Sequence, residues 1–255
     1  MISVYAIFCF IYSSLVGSFL NVVIYRLPLG MDIKFPRSKC VTCEKKIPWY
    51  CNLPILSYVF LLGKCLYCKK NISLRYPFIE LLTGLLGLLL FYQHFFHEQG
   101  SLKFFIYFFI LCLFICHFFI DLDHQILPDS LNIILLILSV LHTFFYGDYM
   151  LSIWGFAIGF GATLFITELF YRLRGVQGLG GGDIKLFGIL GILWGPQIVL
   201  NIIFLSCLLG AIIGGLLILS KKLKRDEPMA FGPYIIIVSC CYLLFPQYLT
   251  KYLLY

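Results

Sequence analysis

The sequence predicts an all-α, polytopic membrane protein of about eight transmembrane helices that carries one small cysteine-bearing loop domain. Three observations predict this. The first is composition. The chain of 255 residues is 61% hydrophobic, 18% aromatic and only 12% charged, with a mean hydropathy of +0.97. A water-soluble domain of this size needs far more charge on its surface. The second is the recurrence of long apolar runs, roughly 1–25, 78–96, 102–120, 131–147, 151–171, 184–195, 197–220 and 231–250. A spanning helix takes about 20 residues, within a range of about 17–25. The third is the placement of the basic residues, which fall almost entirely on one side of an eight-span threading.

Taken in order, the first run lacks a basic leader and a small-residue cleavage site, so it reads as a retained helix and not as a signal peptide. The stretch from Arg26 to Arg75 holds ten basic residues. Two further spans then lead to an acid, Asp121, at the end of the run 102–120. The run from Ile184 is short and is separated from its neighbour only by Gly195-Pro196, so seven spans is the fallback if it does not cross separately. With eight spans, the loop 26–75, the flanks of the glycine stretch (Arg172, Arg174, Lys185) and the cluster Lys221, Lys222, Lys224, Arg225 share one side. They account for 17 of the 19 Lys and Arg, leaving Lys103 and Lys251 opposite. The positive-inside rule makes that side cytoplasmic and puts both termini outside. The net charge of +7 therefore reports topology and contact with lipid headgroups, not nucleic acid.

Four of the eleven cysteines stand as Cys40-Val-Thr-Cys43 and Cys65-Leu-Tyr-Cys68. Two residues between cysteines let both thiolates reach one ion from a tight knuckle, and two knuckles complete a tetrahedral Zn²⁺ site. A cytoplasmic, reducing location argues against structural disulfides. An all-thiolate site is structural and would hold together a loop too small for a core of its own. Cys51 lies between the pairs as a competing ligand. The cysteines within apolar runs read as small hydrophobes.

Asp121 and Asp183 are the acids that demand explanation. Each stands at the edge of a long apolar run, where a carboxylate is costly unless solvated, paired or protonated. Two such carboxylates brought together share a proton and activate water, as in aspartic proteases. The bland alternative, a helix cap, covers either acid taken alone. Gly178 to Gly182 precede Asp183, and residues without side chains admit an extended peptide and permit unusual dihedrals. Asp121 and Asp123 are two apart and should face different ways on a helix. Asp129, after Pro128, suits the first turn of the next helix. His117 and His124 read as packing or interfacial residues.

These elements stand in a recognisable order. Gly17-Ser18-Phe19-Leu20-Asn21-Val22-Val23-Ile24-Tyr25-Arg26-Leu27-Pro28 comes first, then the two knuckles bracketing Asn52-Leu53-Pro54, then Arg75-Tyr76-Pro77-Phe78-Ile79-Glu80. Asp121-Leu122-Asp123 through Leu127-Pro128-Asp129 follow, then Gly180-Gly181-Gly182-Asp183-Ile184-Lys185 and Phe231-Gly232-Pro233-Tyr234. The chain resembles, over nearly its whole length, the type IV prepilin peptidases, membrane aspartic proteases of the Gly-x-Gly-Asp type that also N-methylate their product. The resemblance implies Asp121 and Asp183 as catalytic dyad and Gly180 and Gly182 as the active-site loop. It also implies Cys40, Cys43, Cys65 and Cys68 as structural zinc ligands, and S-adenosylmethionine as methyl donor. Substrates would be prepilins or pseudopilins, cut after a Gly at the cytoplasmic membrane face and methylated on the new N-terminus. It divides the chain into an N-terminal, methylation-associated region of two spans and the cysteine loop, 1–100, and a six-span peptidase domain, 101–255.

Glu80 is the acid nearest the cysteine loop, a candidate for the methyl-donor site or the substrate amine and equally a favourable helix opener. No Gly-x-Gly-x-x-Gly nucleotide fingerprint is present. One position departs from the family: Cys51 stands where an Asp is usual. If that acid serves methylation, the resemblance leaves a peptidase without methyl transfer as an alternative. An ion-coupled transporter and a non-catalytic zinc scaffold are the remaining readings. The first expects acids at mid-span or broken helices in corresponding halves, and no internal repeat is found. The second leaves the glycine-Asp element unexplained.

Overall fold

The computed structural model describes residues 2–35, 39–40, 42–94, 100–175, 178–222 and 229–246. Among them the chain is helical: α1 (Ile2–Arg26), α2 (Leu56–Phe60), α3 (Arg75–His94), α4 (Gly100–His124), α5 (Asp129–Tyr146), α6 (Tyr149–Arg174), α7 (Gly181–Leu219) and α8 (Gly232–Leu244). No strand occurs among the described residues beyond two isolated bridges, Lys39–Lys46 and Lys64–Asn71. The chain clusters into two compact units, 1–108 and 109–255.

In the first unit α1 and α3 run antiparallel at close range. Gly17 lies against the Glu80 backbone and Thr83, and Gly87 lies against Ser13. Asn21 Nδ2 donates to the Tyr76 carbonyl at 3.2 Å. Small residues at the contact let the two backbones approach, which is how helices pack in lipid, where the hydrophobic effect offers no drive. The loop between α1 and α3 carries α2 and the cysteine pairs.

In the second unit each helix end has a local cause. Pro128 is the N-cap of α5, extended at φ −61°, ψ 129°, where its missing N–H costs the helix no hydrogen bond. Asp148 caps α6, accepting from the Met150 and Leu151 amides at 2.8 and 3.2 Å, which satisfies donors the helix leaves open. The decisive break is inside α7. Gly195 adopts φ 81°, ψ −179° ahead of Pro196. That backbone region is open to glycine alone, and proline cannot donate to the turn before it.

The two legs of α7, 181–194 and 196–219, fold back on each other at this point. The Cβ position of Gly159 in α6 lies 2.9 Å from the Phe187 carbonyl carbon and 3.1 Å from Val199 Cγ2. Phe187 and Val199 would be about 18 Å apart on a straight helix. Gly155, one turn earlier in α6, lies against Gly191 and Gly195. Gly155 and Gly191 each occupy the space where the other's side chain would sit, so α6 and the first leg pack backbone to backbone. Tyr242 of α8 stands beside Trp194 at the reversal, and Phe231, which precedes α8, lies beside Phe187 and Gly210 at the far end.

Among the described residues six helices are long and apolar enough to cross a bilayer, α7 counted once. The reversal at Gly195 turns that 39-residue helix into two antiparallel legs. With the short α8 the described residues form eight apolar helical legs, which agrees with the runs read from the sequence. The first α7 leg, about 21 Å long, and α8, about 20 Å, are each shorter than the ~30 Å hydrocarbon core. Of the last run, 231–250, residues 247–250 lie outside the described residues.

Candidate active site and candidate metal centre

The fold of the second unit gathers five segments at one end: the close of α4, the turn 125–128 into α5, the opening of α7, the close of its second leg, and the opening of α8. Asp121 is on the last turn of α4 and is 4% exposed, while Asp183, in the first turn of α7, is 9% exposed. The two carboxyl groups lie near enough for their charges to repel if both ionise. Asp123 is exposed, as expected for a residue two places on, and α4 continues through His124. His117, one turn before Asp121, is fully buried, and neither of its ring nitrogens has a partner among the described residues.

What holds Asp121 was not foreseen in the sequence. The Gly232 amide donates to Asp121 Oδ2 at 2.9 Å, a buried bond across 111 positions of chain. A Cβ at Gly232 would lie 2.7 Å from that oxygen and 3.1 Å from Cγ. The carboxylate thus occupies the space that the missing side chain leaves. Leu127 completes the frame. Its side chain lies within 3.2 Å of the Cβ position of Gly232 and within 2.9 Å of that of Gly182. One leucine therefore spaces the α8 opening, which holds Asp121, from the α7 opening, which carries Asp183. Outside this frame Lys185 Nζ pairs with Asp129 Oδ1 at 2.7 Å, joining the N-terminal ends of α7 and α5.

The glycines before Asp183 serve by close approach. Gly180 is extended at φ −68°, ψ 146°, and none of Gly180, Gly181 and Gly182 has positive φ. The Gly180 Cβ position is 3.1 Å from Asp183 Oδ2, and that of Gly182 is blocked by Leu127, while Gly181 faces open space. The unusual dihedrals expected there occur at Gly175 and Gly195 instead.

In the first unit the four cysteines converge. Cys40 and Cys68 Sγ are 3.9 Å apart, Cys43 and Cys65 Sγ 4.0 Å, and all four sulfurs lie within 4.8 Å of one another. A tetrahedral Zn²⁺ with ~2.3 Å bonds sets sulfurs about 3.8 Å apart, so the cage fits that ion. The two knuckles repeat one geometry. Cys40 and Cys65 amides donate to the carbonyls five residues on, and Glu44 and Lys69, four residues after the first cysteine of each, have φ 55° and 57°.

Backbone amides of Cys43 and Thr42 pull the Cys40 thiol down to about 6, and those of Cys68 and Tyr67 lower Cys65. Cys43 receives the Lys45 amide, which lowers it, but burial and the three neighbouring sulfurs outweigh that and push it up to about 11. Backbone amides favour thiolate at Cys40 and Cys65 while the neighbouring sulfurs oppose it at Cys43, a crowding of like charge that a bound cation relieves. Cys51 is not one of the four.

Glu80 is buried on α3, and its Oε2 accepts the Ile55 amide at 2.8 Å. Ile55 is the centre of a tight turn, with φ 61°, ψ −50° and the Leu56 amide donating to the Pro54 carbonyl. A β-branched residue there is strained, and such a turn persists only when its surroundings hold it. Glu80 is one of those holds.

The profile of the bacterial peptidase A24 N-terminal domain matches residues 11–94, and that of the type IV leader peptidase family matches residues 106–215. The chain is 34% identical to the prepilin leader peptidase/N-methyltransferase of Stutzerimonas stutzeri, over 92% of this chain and 89% of that protein. The protein of the same description from Pseudomonas aeruginosa is also 34% identical, over 93% and 89%. That of Aeromonas salmonicida is 33% identical, over 96% and 92%. No solved structure matches the chain.

Proposed function

The chain belongs to the type IV leader peptidase family, and from that premise we propose that it cleaves the leader of a prepilin or pseudopilin after a Gly and N-methylates the new N-terminus. The observation that carries the peptidase reading is the dyad: two buried carboxylates, on helices far apart in sequence, set at one end of the second unit and spaced by Leu127 and Gly232.

The chemistry follows from two carboxyl groups sharing one proton. The ionised carboxylate takes a proton from water as the water oxygen bonds to the scissile carbonyl carbon. The protonated partner donates to the carbonyl oxygen, and the tetrahedral species collapses as a proton passes to the departing amine. The Gly232 amide fixes the direction of Asp121, so no reorientation is needed at the moment of reaction. Gly180 and Gly182 keep side chains out of the approach to Asp183.

We assign the dyad end to the cytoplasmic side of the bacterial inner membrane. Arg172, Arg174, Lys185, Lys221 and Lys222 all lie at that end of the second unit, which supports the assignment through the positive-inside rule. A substrate with a basic leader and an apolar helix would then present its scissile bond at the depth of the dyad. Cys40, Cys43, Cys65 and Cys68 are proposed to hold a structural Zn²⁺ that closes the loop of the first unit. The methyl group would come from S-adenosylmethionine, and Glu80, buried beside a strained turn, is the acid we assign to that part of the reaction. Cys51, where the family usually has Asp, favours one second reading: peptidase without methyl transfer.

Both readings are tested together. Purified protein in nanodiscs is incubated with a prepilin and S-adenosylmethionine, and the products are weighed. A leader of the expected mass and a mature chain heavier by one methyl are expected. A mature chain without that gain would leave the peptidase alone, and an intact substrate would overturn the proposal.

A further inference from the structure

The loop of the first unit exposes large apolar side chains at one place. Leu56, Val59, Phe60 and Leu62, on and just after α2, are all exposed, Phe60 by 82% and Leu62 by 81%. Single exposed apolar residues need no explanation, but a cluster on so small a module marks something that covers it.

Two hydrogen bonds say where α2 lies. The residue before it, Ile55, donates to Glu80 Oε2 in the second turn of α3 at 2.8 Å. Gly63, three residues past the last residue of α2, accepts from Ile72, three residues before α3 begins, at 2.7 Å. The Tyr58 hydroxyl adds a third tie, donating to the Ile72 carbonyl at 3.2 Å. α2 is therefore strapped at both ends to the point where α3 enters the bilayer. Glu80 is only about 8 Å along α3 from Arg75. That depth is the headgroup and upper acyl region, where interfacial helices place their apolar faces.

Charge names the occupant. From residue 45 to residue 79 there is no acid, while Lys45, Lys46, Lys64, Lys69, Lys70 and Arg75 supply six positive charges. The five lysines are all exposed. An exposed apolar tip in a loop segment whose only charges are basic matches anionic phospholipid, which takes the apolar groups into its acyl boundary and the lysines onto its phosphates.

We propose that residues 56–62 are a membrane-interface anchor, with Leu56, Val59, Phe60 and Leu62 inserted among the lipids where α3 enters and the flanking lysines on anionic headgroups. The anchor fixes the cysteine module to the membrane surface rather than leaving it on a free tether. It does not depend on the peptidase reading.

The test uses the full chain with p-benzoylphenylalanine in place of Phe60, a conservative aromatic replacement, in nanodiscs of phosphatidylethanolamine and phosphatidylglycerol. A second variant carries it at Leu62. After illumination, intact-mass analysis is expected to show a gain of one phospholipid at both positions. Replacing phosphatidylglycerol by phosphatidylcholine is expected to lower that yield. Crosslinks to residues 109–255, to a second copy of the chain or to added prepilin would overturn the proposal, because protein then covers the tip. Absence of any adduct at both positions would overturn it as well, since the tip would lie in water. Metal content measured on each variant reports that the module is folded.

Discussion

Gly232→Ala separates a positioning role from a merely flexible turn. An added Cβ would sit 2.7 Å from Asp121 Oδ2 and 3.1 Å from its Cγ, well inside ordinary contact. Leu127 Cδ2, at 3.2 Å, closes one line of retreat, so the carboxylate must swing away and lose the 2.9 Å bond from the Gly232 amide. A hydrogen bond to a charged group contributes about 1.5–3 kcal/mol. Lost from the transition state, it predicts a fall in kcat of about 10- to 150-fold. Displacement of a reacting group by about an ångström gives a similar figure. KM for prepilin should change little, because the methyl group lands on the dyad frame and not on the surface that holds the substrate. The assay is cleavage of a prepilin by reconstituted protein, with kcat and KM measured separately. Gly181→Ala is the control, since nothing lies within 4 Å of its Cβ position, and it should keep nearly full activity. A Gly232→Ala enzyme with unchanged kcat would show that the Gly232 amide does not position Asp121, and so would equal damage from Gly181→Ala.

Four further outcomes are expected. Asp121→Asn and Asp183→Asn should each reduce cleavage to background with membrane insertion intact, because the amide keeps the shape and loses the proton transfer; processed pilin in a strain carrying either variant would contradict the dyad. Cys→Ser at 40, 43, 65 or 68 should lower bound zinc from about one per chain and open the loop to protease, as read by elemental analysis and limited proteolysis. Lys185→Met should cost no more than about fivefold in kcat, since an exposed ion pair contributes about 1 kcal/mol or less; a larger loss would give Lys185 a role beyond the pair with Asp129. Reporter insertions after Lys69, Gly175 and Ser220 should all report the cytoplasm, and an external signal at Gly175 would place the dyad on the wrong side for a cytoplasmic leader.

Much of this protein is legible in its sequence because its signals are local. Apolar runs of fixed length announce helices that must cross lipid, and Gly195-Pro196 announces that the long run breaks, since glycine alone reaches that backbone geometry and proline ends the preceding turn. Paired Cys-x-x-Cys spacing is likewise local, and the four sulfurs meet as the spacing requires. Asp121 and Asp183 stand out because acids are rare and costly beside such runs.

The contacts that give these residues their geometry are not local. Nothing near Asp121 in the chain points to Gly232, 111 positions away, because a backbone amide has no sequence signature. Nothing marks Leu127, an ordinary leucine in a leucine-rich chain, as the spacer between two glycines. Glu80 reads as a helix opener or a ligand, and only the folded loop shows its carboxylate holding the strained Ile55 turn. Which segments are apolar enough to enter the membrane and which side chains can do chemistry follow from residue type and spacing along the chain. How the acids are aimed and what keeps them apart follow from the meeting of helix ends that are remote in sequence, and so emerge only in the folded chain.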